Sequence, residues 1–358
     1  MSSTINFGNL SVSVFGESHG KAIGAVLDGI PGGEKLDLDG ILSFMSRRAP
    51  KKDGTSTARN EADLPHIISG VVDNITAGTP ICAVIQNTDQ HSNDYRSVSH
   101  LARPGHADYT GYIRYNKSCD LRGGGHFSGR LTAPLCFAGA VCGQILENRG
   151  ITTGAHILRI FDIKDEKFDP VSISKDQLSE IKSKSFPLID SGKEEEIKAK
   201  ILQTRNELNS VGGIIECAAV GVPAGIGSPM FDGLENRIAQ AVFGIPAVKG
   251  IEFGAGFNSA FMTGKENNDE FYLDDNVIKT VTNNHGGILG GISSGMPIVF
   301  RTAIKPTPSI AQPQNTVDYV KMTESVLQIK GRHDPCIVPR AVPCVEAALN
   351  IVLMSYFC

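Results

Sequence analysis

The chain has 358 residues, 41% of them hydrophobic, a net charge of −4 and no tryptophan. That length holds one large domain or two ordinary ones with ample core, and the mild acidity argues against nucleic acid as a partner. No N-terminal signal pattern and no apolar run long enough for a bilayer is evident, so the expectation is a cytoplasmic protein without a membrane partner.

Leu10–Phe15 alternates as a strand that stops at Gly16, and Gly16-Glu17-Ser18-His19-Gly20 then turns the chain at the strand mouth. Asp37 to Arg48 carries Leu38, Ile41, Leu42 and Met45 at helical spacing and closes on Arg47-Arg48 before Pro50. Pro80–Ile85 reads as a strand, and Thr132 to Asn148 as a helix apolar almost all round. Residues 162–209 are rich in Lys, Glu and Asp, with amphipathic segments at Gln177–Lys184 and Glu194–Leu208. They read as a solvated peripheral excursion of a single domain spanning 1–358.

Gly213–Val222 and Pro297–Thr302 are further strands. Asp232 is placed to N-cap a helix ending near Gly244, and Pro343 to open a terminal helix through Phe357. Helices apolar on every face must be buried on every face. The expected fold is therefore α+β, a layered β-α-β sandwich with apolar helices between antiparallel sheets, and not a doubly wound sheet. Gly78-Thr79-Pro80-Ile81 and Gly295-Met296-Pro297-Ile298 each open a β-rich run. Internal duplication accounts for that echo, as does chance. The eight cysteines form no Cys-x-x-Cys pair, which fits thiols in a core and a reducing compartment better than zinc or disulfides.

Four loops add histidines and cations to the Ser18-His19 turn. Arg103-Pro104-Gly105-His106-Ala107-Asp108 joins a guanidinium to an imidazole. Arg122 to Arg130 is glycine-rich and enters an apolar helix, either an anion site or a plain turn. It lacks the Gly-Lys-Ser/Thr of a phosphate-binding P-loop and the spacing of a dinucleotide fingerprint. Lys305 to Ser309 either binds a phosphate or simply ends a strand, and Gly331 to Pro335 sets Arg332 and Asp334 before the last helix. Arginines suit carboxylates and phosphates, and histidine moves protons near neutral pH. The chemistry points to a lyase or transferase acting on a small phosphorylated acid, with no metal.

With these loops in order, the chain resembles the chorismate synthase family along nearly its whole length. Further anchors are Asn87-Thr88-Asp89-Gln90, Gly221 to Gly225, Ala247 to Gly250 and Gly287 to Gly295. The resemblance implies a carbon–oxygen lyase of the shikimate pathway, converting 5-enolpyruvylshikimate 3-phosphate to chorismate by 1,4-elimination of phosphate. It implies reduced FMN without net redox change, and a homotetramer. Carried over by position, His19 aids the leaving phosphate, His106 keeps the flavin anionic and Asp334 takes the C6 proton. Ser18, Arg48, Arg103, Arg130 and Arg332 then hold the substrate anions. The flavin contacts fall at His126, Phe127, Ser128, Ala247, Gly290, Lys305, Pro306, Thr307, Pro308, Ser309 and Arg332.

The chain departs from the family pattern in three places. Gly54 stands where a second arginine is common, with Lys51 and Lys52 nearby. His126-Phe127 replaces a frequent Arg-Ser, and Asn284-His285 shifts a loop histidine. No segment reads as a nicotinamide domain, so the flavin reductant is expected to be external rather than NADPH used by this chain. The rival from another class is a flavin- or phosphate-binding paralogue without catalysis.

Overall fold

The computed structural model describes residues 3–50, 55–56, 63–88, 100–329 and 333–358. β1 (Thr4–Phe7), β2 (Leu10–Gly16), β3 (Ala22–Asp28), β4 (Pro65–Ser69) and β5 (Ile81–Gln86) form an antiparallel sheet ordered β1-β2-β3-β5-β4. β6 (Thr152–Ile160), β7 (Ile163–Lys164), β8 (Gly213–Val220), β9 (Val248–Phe253) and β10 (Ile298–Ile304) form a second, ordered β7-β6-β8-β10-β9. The main helices are α1 (Leu38–Ser46), α2 (Asp108–Arg114), α3 (Thr132–Asn148), α4 (Lys175–Ser183), α5 (Glu194–Asn206), α6 (Leu234–Phe243) and α7 (Val338–Met354).

The all-round apolar helices are the middle layer, as their composition demands. α3 lies on β2, β3 and β5, α7 lies on β6 and β8, and the two helices pack on each other. A Cβ on Gly139 would stand 2.3 Å from the Cα of Ala347, so glycine sets how closely these helices cross. Asn350 Nδ2 donates to the Gly139 carbonyl at 3.0 Å, and the Thr153 hydroxyl bonds Asn350 Oδ1 at 2.7 Å. The segment Gly129–Asn148 is long and apolar enough to cross a bilayer by length and composition. That corrects the expectation that no such run exists; here the segment is buried between protein layers.

The two halves share a plan. In each, the third strand of the five-stranded sheet is followed by a short helix, then by that sheet's other two strands, and, with smaller elements interspersed, the half closes on a 17-residue helix. α1 packs on α3 as α6 packs on α7, and both sheets carry the third, fifth and fourth strands of their half side by side. The Gly-x-Pro-Ile echo sits just before β5 and just before β10, the same place in both halves. A duplicated unit explains both coincidences.

Residues 162–209 are more than a solvated excursion. Phe168, Ile173, Leu178 and Ile181 form a second small core with Ala218, Val220 and Val299. Side chains alternate along a strand, so Ala218 and Val220 face away from the main core that holds Cys217 and Ala219. The excursion thus covers the outer face of the second sheet. Ser174 starts α4 by accepting the Gln177 N–H at 3.1 Å.

Two helix starts differ from expectation. Asp232 does not cap α6: Gly233 takes that place, and the Asp232 carboxylate is held by Arg237 at 2.5 and 2.7 Å. α7 begins at Val338, with Pro339 in its first turn and Pro343 inside it. Pro343 only withholds an i+4 donor from the Pro339 carbonyl, and burial on all sides outweighs that loss.

Candidate active site

The strand mouth, the glycine loop and the Arg103–Asp108 loop meet. β2 and β3 are paired neighbours, so the turn between them presents Ser18 and His19 at the end of the first sheet. Both are buried, at 3% and 5% exposure. The Ser18 N–H donates to the Gly125 carbonyl at 3.1 Å. Gly123, Gly124 and Gly125 all hold positive φ, at 59°, 90° and 54°. A Cβ on Gly123 would lie 2.3 Å from the His19 ring, and one on Gly124 would lie 3.1 Å from His106 Nε2. The loop therefore threads between the two histidines, and its glycines are required by space as well as by backbone.

His106 Nδ1 is 2.9 Å from Asp108 Oδ1 and 3.1 Å from Arg103 Nη2. The carboxylate only accepts, so Nδ1 is assigned the proton and Nε2 is left facing Gly124. Arg103 donates twice to Asp108, each bond 2.6 Å, and lies 3.4 Å from the Ser309 hydroxyl. Burial alone would push the Asp108 carboxyl up. Hydrogen bonds from Arg103 and His106 outweigh it and hold Asp108 far below the usual carboxylate range.

Lys305 to Ser309 runs beside this loop. Lys305 Nζ donates to the Gly105 carbonyl, and a Cβ on Gly105 would rest 3.4 Å from Pro308. Burial, aided by the charge of Lys249, lowers the Lys305 ammonium pKa. The Lys305 N–H donates to the Ala247 carbonyl at 2.9 Å, which places Ala247 here as well. The Thr307 carbonyl accepts from the Ser210 hydroxyl at 2.6 Å, and Pro306 joins Lys305 to Thr307. The hydroxyls of Ser18 and Thr307 are buried with no hydrogen-bond partner among the described residues. Orphan hydroxyls beside buried cations fit a bound polyanion, the kind of group a flavin phosphate and an acidic substrate present.

Arg48 and Arg130 lie together under the glycine loop, both bonded to Asp63. Asn87 connects them to the Ser18-His19 turn. Its Oδ1 accepts from Arg130 Nε at 3.1 Å, while its Nδ2 donates to the carbonyls of Glu17 and Gly20. Asp334 is paired with Arg340 at 2.6 Å, and Arg340 Nε also donates to the Arg48 carbonyl at 3.0 Å. One half-buried arginine thus brings Asp334 toward the cluster.

Other expected site residues have protein partners of their own. His126 bonds the Gly16 carbonyl through Nδ1 at 2.7 Å and the Ser3 hydroxyl through Nε2. Phe127 packs on Gly111 and near Tyr115, and the Ser128 hydroxyl accepts the Arg130 N–H at 3.3 Å. Gly290 sits in the turn between Ile288–Leu289 and Ile292–Ser293, and its neighbour Gly291 contacts Ser228 and Gly233 rather than the histidine loops. Arg332 and the Lys51, Lys52 and Gly54 positions lie outside the described residues. Asp63, Asp108 and Arg340 were not singled out from sequence. Asp63 ends a polar run that reads as solvated loop, so no pattern marked it.

Two orphan hydroxyls, two histidines and several buried cations define an anion-handling enzyme of the layered α+β class. Comparison with known proteins makes that class specific. The chorismate synthase family model matches residues 10–358. The chorismate synthase of Pyrococcus abyssi is 45% identical, covering 97% of this chain and 95% of that one. That of Lancefieldella parvula is 44% identical over 98% and 96%, and that of Methanothermobacter thermautotrophicus 43% over 96% and 91%. A crystal structure of chorismate synthase superposes with a TM-score of 0.76 at 30% identity, covering 98% of this chain and 92% of that one. The chain belongs to the chorismate synthase family, and its activity is that family's shikimate-pathway lyase chemistry.

Proposed function

We propose that the cleft between the Ser18-His19 turn, the glycine loop and the Lys305–Ser309 segment performs this elimination with reduced FMN. The observation that carries the reading is the glycine loop, which lies against His19 on one side and His106 on the other. His19, beside the orphan hydroxyl of Ser18, gives a proton to the departing phosphate. Arg48, Arg103, Arg130 and Arg332 hold the phosphate and carboxylates, because guanidinium groups match both geometries.

Asp334, held by Arg340, receives the C6 proton of the substrate. That hydrogen is not acidic, so a carboxylate alone does not start the reaction. Reduced FMN, when bound, supplies electron density transiently to the elimination. Lys305 and Thr307 suit its phosphate, and His126, Phe127 and Ser128 offer backbone groups to it, with Ala247, Gly290, Pro306, Pro308 and Ser309 in the carried-over set. His106 takes up at Nε2 the proton that keeps the cofactor anionic, its Nδ1–H fixed on Asp108. The buried walls exclude water.

A homotetramer is supported by exposed aromatic surface. Phe231, Phe257 and Phe261 are 89%, 82% and 86% exposed, and Met230 is 74% exposed. The enzyme is proposed to work in the cytoplasm with an external flavin reductant. The test is phosphate release from enolpyruvylshikimate phosphate under anaerobic conditions. Release is expected only when reduced FMN is present, and release without it overturns the cofactor assignment.

A further inference from the structure

β3 and β5 are paired neighbours, with Ala22 opposite Gln86. The next residue, Asn87, carries that pairing one bond further, its N–H donating to the Lys21 carbonyl at 3.2 Å. Strand register thus delivers Asn87 to the turn between β2 and β3, although it lies 67 residues beyond Gly20 in the chain. The turn is closed by the Gly20 N–H on the Glu17 carbonyl at 3.0 Å, so Ser18 and His19 are its two central residues.

The Asn87 amide joins both ends of this turn. Nδ2 donates to the Glu17 carbonyl at 3.1 Å and to the Gly20 carbonyl at 2.9 Å. On its other side Oδ1 accepts from Arg130 Nε at 3.1 Å. Carbonyls only accept and a guanidinium only donates, so these partners fix which way the amide faces. Aspartate in its place would keep the acceptor and lose both donors, and alanine would lose all three. Ser18 is also anchored through its N–H on the Gly125 carbonyl. Asn87 adds a direct link from the turn to the Arg130 guanidinium.

Proton transfer depends steeply on placement, and a displacement of about 1 Å can cost about 10²-fold in rate. A histidine on one turn and an arginine on another segment have no local reason to keep one spacing. A planar amide bonded to both segments imposes one. We propose that Asn87 is a positioning residue for the proton donor: it clamps the turn that carries His19 and holds that turn against Arg130. It touches no reacting atom and acts through His19. The proposal rests on the reading that His19 gives a proton to the departing phosphate.

The test measures kcat and KM in the anaerobic phosphate-release assay with reduced FMN, and urea stability, for wild type, Asn87→Ala, Asn87→Asp and His19→Ala, and for each Asn87 variant in the His19→Ala background. Asn87 is half-buried, so its truncation leaves no core cavity. Asn87→Ala should lower kcat about tenfold or more. KM should stay within about threefold, because the arginines that hold the substrate are still present. Asn87→Asp loses both donors and should be slowed at least as much. In the His19→Ala background the group that Asn87 places is gone, and either Asn87 variant should change kcat by no more than about twofold. A larger loss in that background overturns the proposal, as does a wild-type kcat in either Asn87 variant. Should Asn87→Ala not fold, Asn87→Asp runs the same cycle, and failure of both to fold makes Asn87 a residue of the fold and overturns the proposal. A wild-type rate in His19→Ala alone would remove the proton-donor reading, and this proposal with it; additive losses beside a slow His19→Ala would remove this proposal only.

Discussion

His106 and His156 are built from the same parts and put to different ends. His106 rests on Asp108, which Arg103 holds. His156 lies between Asp165 at 3.2 Å and Glu216 at 3.1 Å, with Arg301 3.8 Å from Glu216. Both are imidazoles tied to carboxylates that face a guanidinium. The difference lies in what covers the far nitrogen. His106 Nε2 faces a glycine with no side chain, whereas both nitrogens of His156 are taken and Phe168 packs edge-on to its ring at 4.7 Å. A carboxylate–histidine pair does not by itself mark a working site. On the proposed function, one open nitrogen beside a glycine-lined space does.

The sharpest way to break this comparison is to remove the imidazoles. His106→Ala and His19→Ala should each slow turnover by about 10²-fold or more with the melting temperature nearly unchanged. His156→Ala should do the reverse. It strips the partner from two buried carboxylates, which costs about 3–5 kcal/mol of stability, while the rate per folded molecule stays close to wild type. Urea denaturation and the anaerobic assay on the same samples separate the two. A His156 variant that folds normally but turns over slowly would erase the distinction.

The glycine half of the argument is tested by Gly124→Ala. Its methyl would stand 3.1 Å from His106 Nε2 at a φ of 90°, so the ring must shift. A rate loss of about tenfold is expected, with a strain cost on the order of 1–3 kcal/mol. Gly225→Ala is the control, because it has a φ of 97° and open space around its Cβ position. It should carry the strain without the rate loss. Equal activity in the two variants would show that the loop does not shape the space at His106.

How far the sequence reveals this depends on the kind of contact. The helices between sheets were legible because all-round apolar composition has one physical solution, and α3 runs over the expected Thr132–Asn148. The loops around Ser18, His106 and Gly123 were legible because glycine beside histidine is a local pattern. What was not legible lies across the chain. Arg47 and Arg48 are neighbours in sequence, yet Arg47 is fastened to the buried Glu346 at 2.6 and 2.7 Å while Arg48 turns to Asp63. No local rule separates them. The turn that closes α1 decides, sending the two side chains to different partners. Asp63 and Arg340 escaped for the same reason: each matters through partners distant in sequence.

The finest distinction is in pH dependence. Burial would lower the His156 pKa, but the hydrogen bonds and charges of Asp165 and Glu216 outweigh it and raise it above its ordinary value. A raised folded pKa means that protonation stabilises the fold. The contribution is fully present below the unfolded value of about 6.5 and is lost as pH climbs through the folded one. Asp165 runs the other way. Burial opposes it, yet the His156 bond and the N–H groups of Ile189 and Asp190 lower its pKa. Its contribution is present above the unfolded value of about 4 and is lost as pH falls through the folded one. Unfolding free energy against pH should therefore decline on the alkaline side in wild type, with a slope of at most about 1.4 kcal/mol per pH unit for one proton. In His156→Gln, which cannot be protonated, that alkaline limb should flatten. An unchanged limb in His156→Gln would place the proton elsewhere and leave the sealed cluster a matter of packing alone.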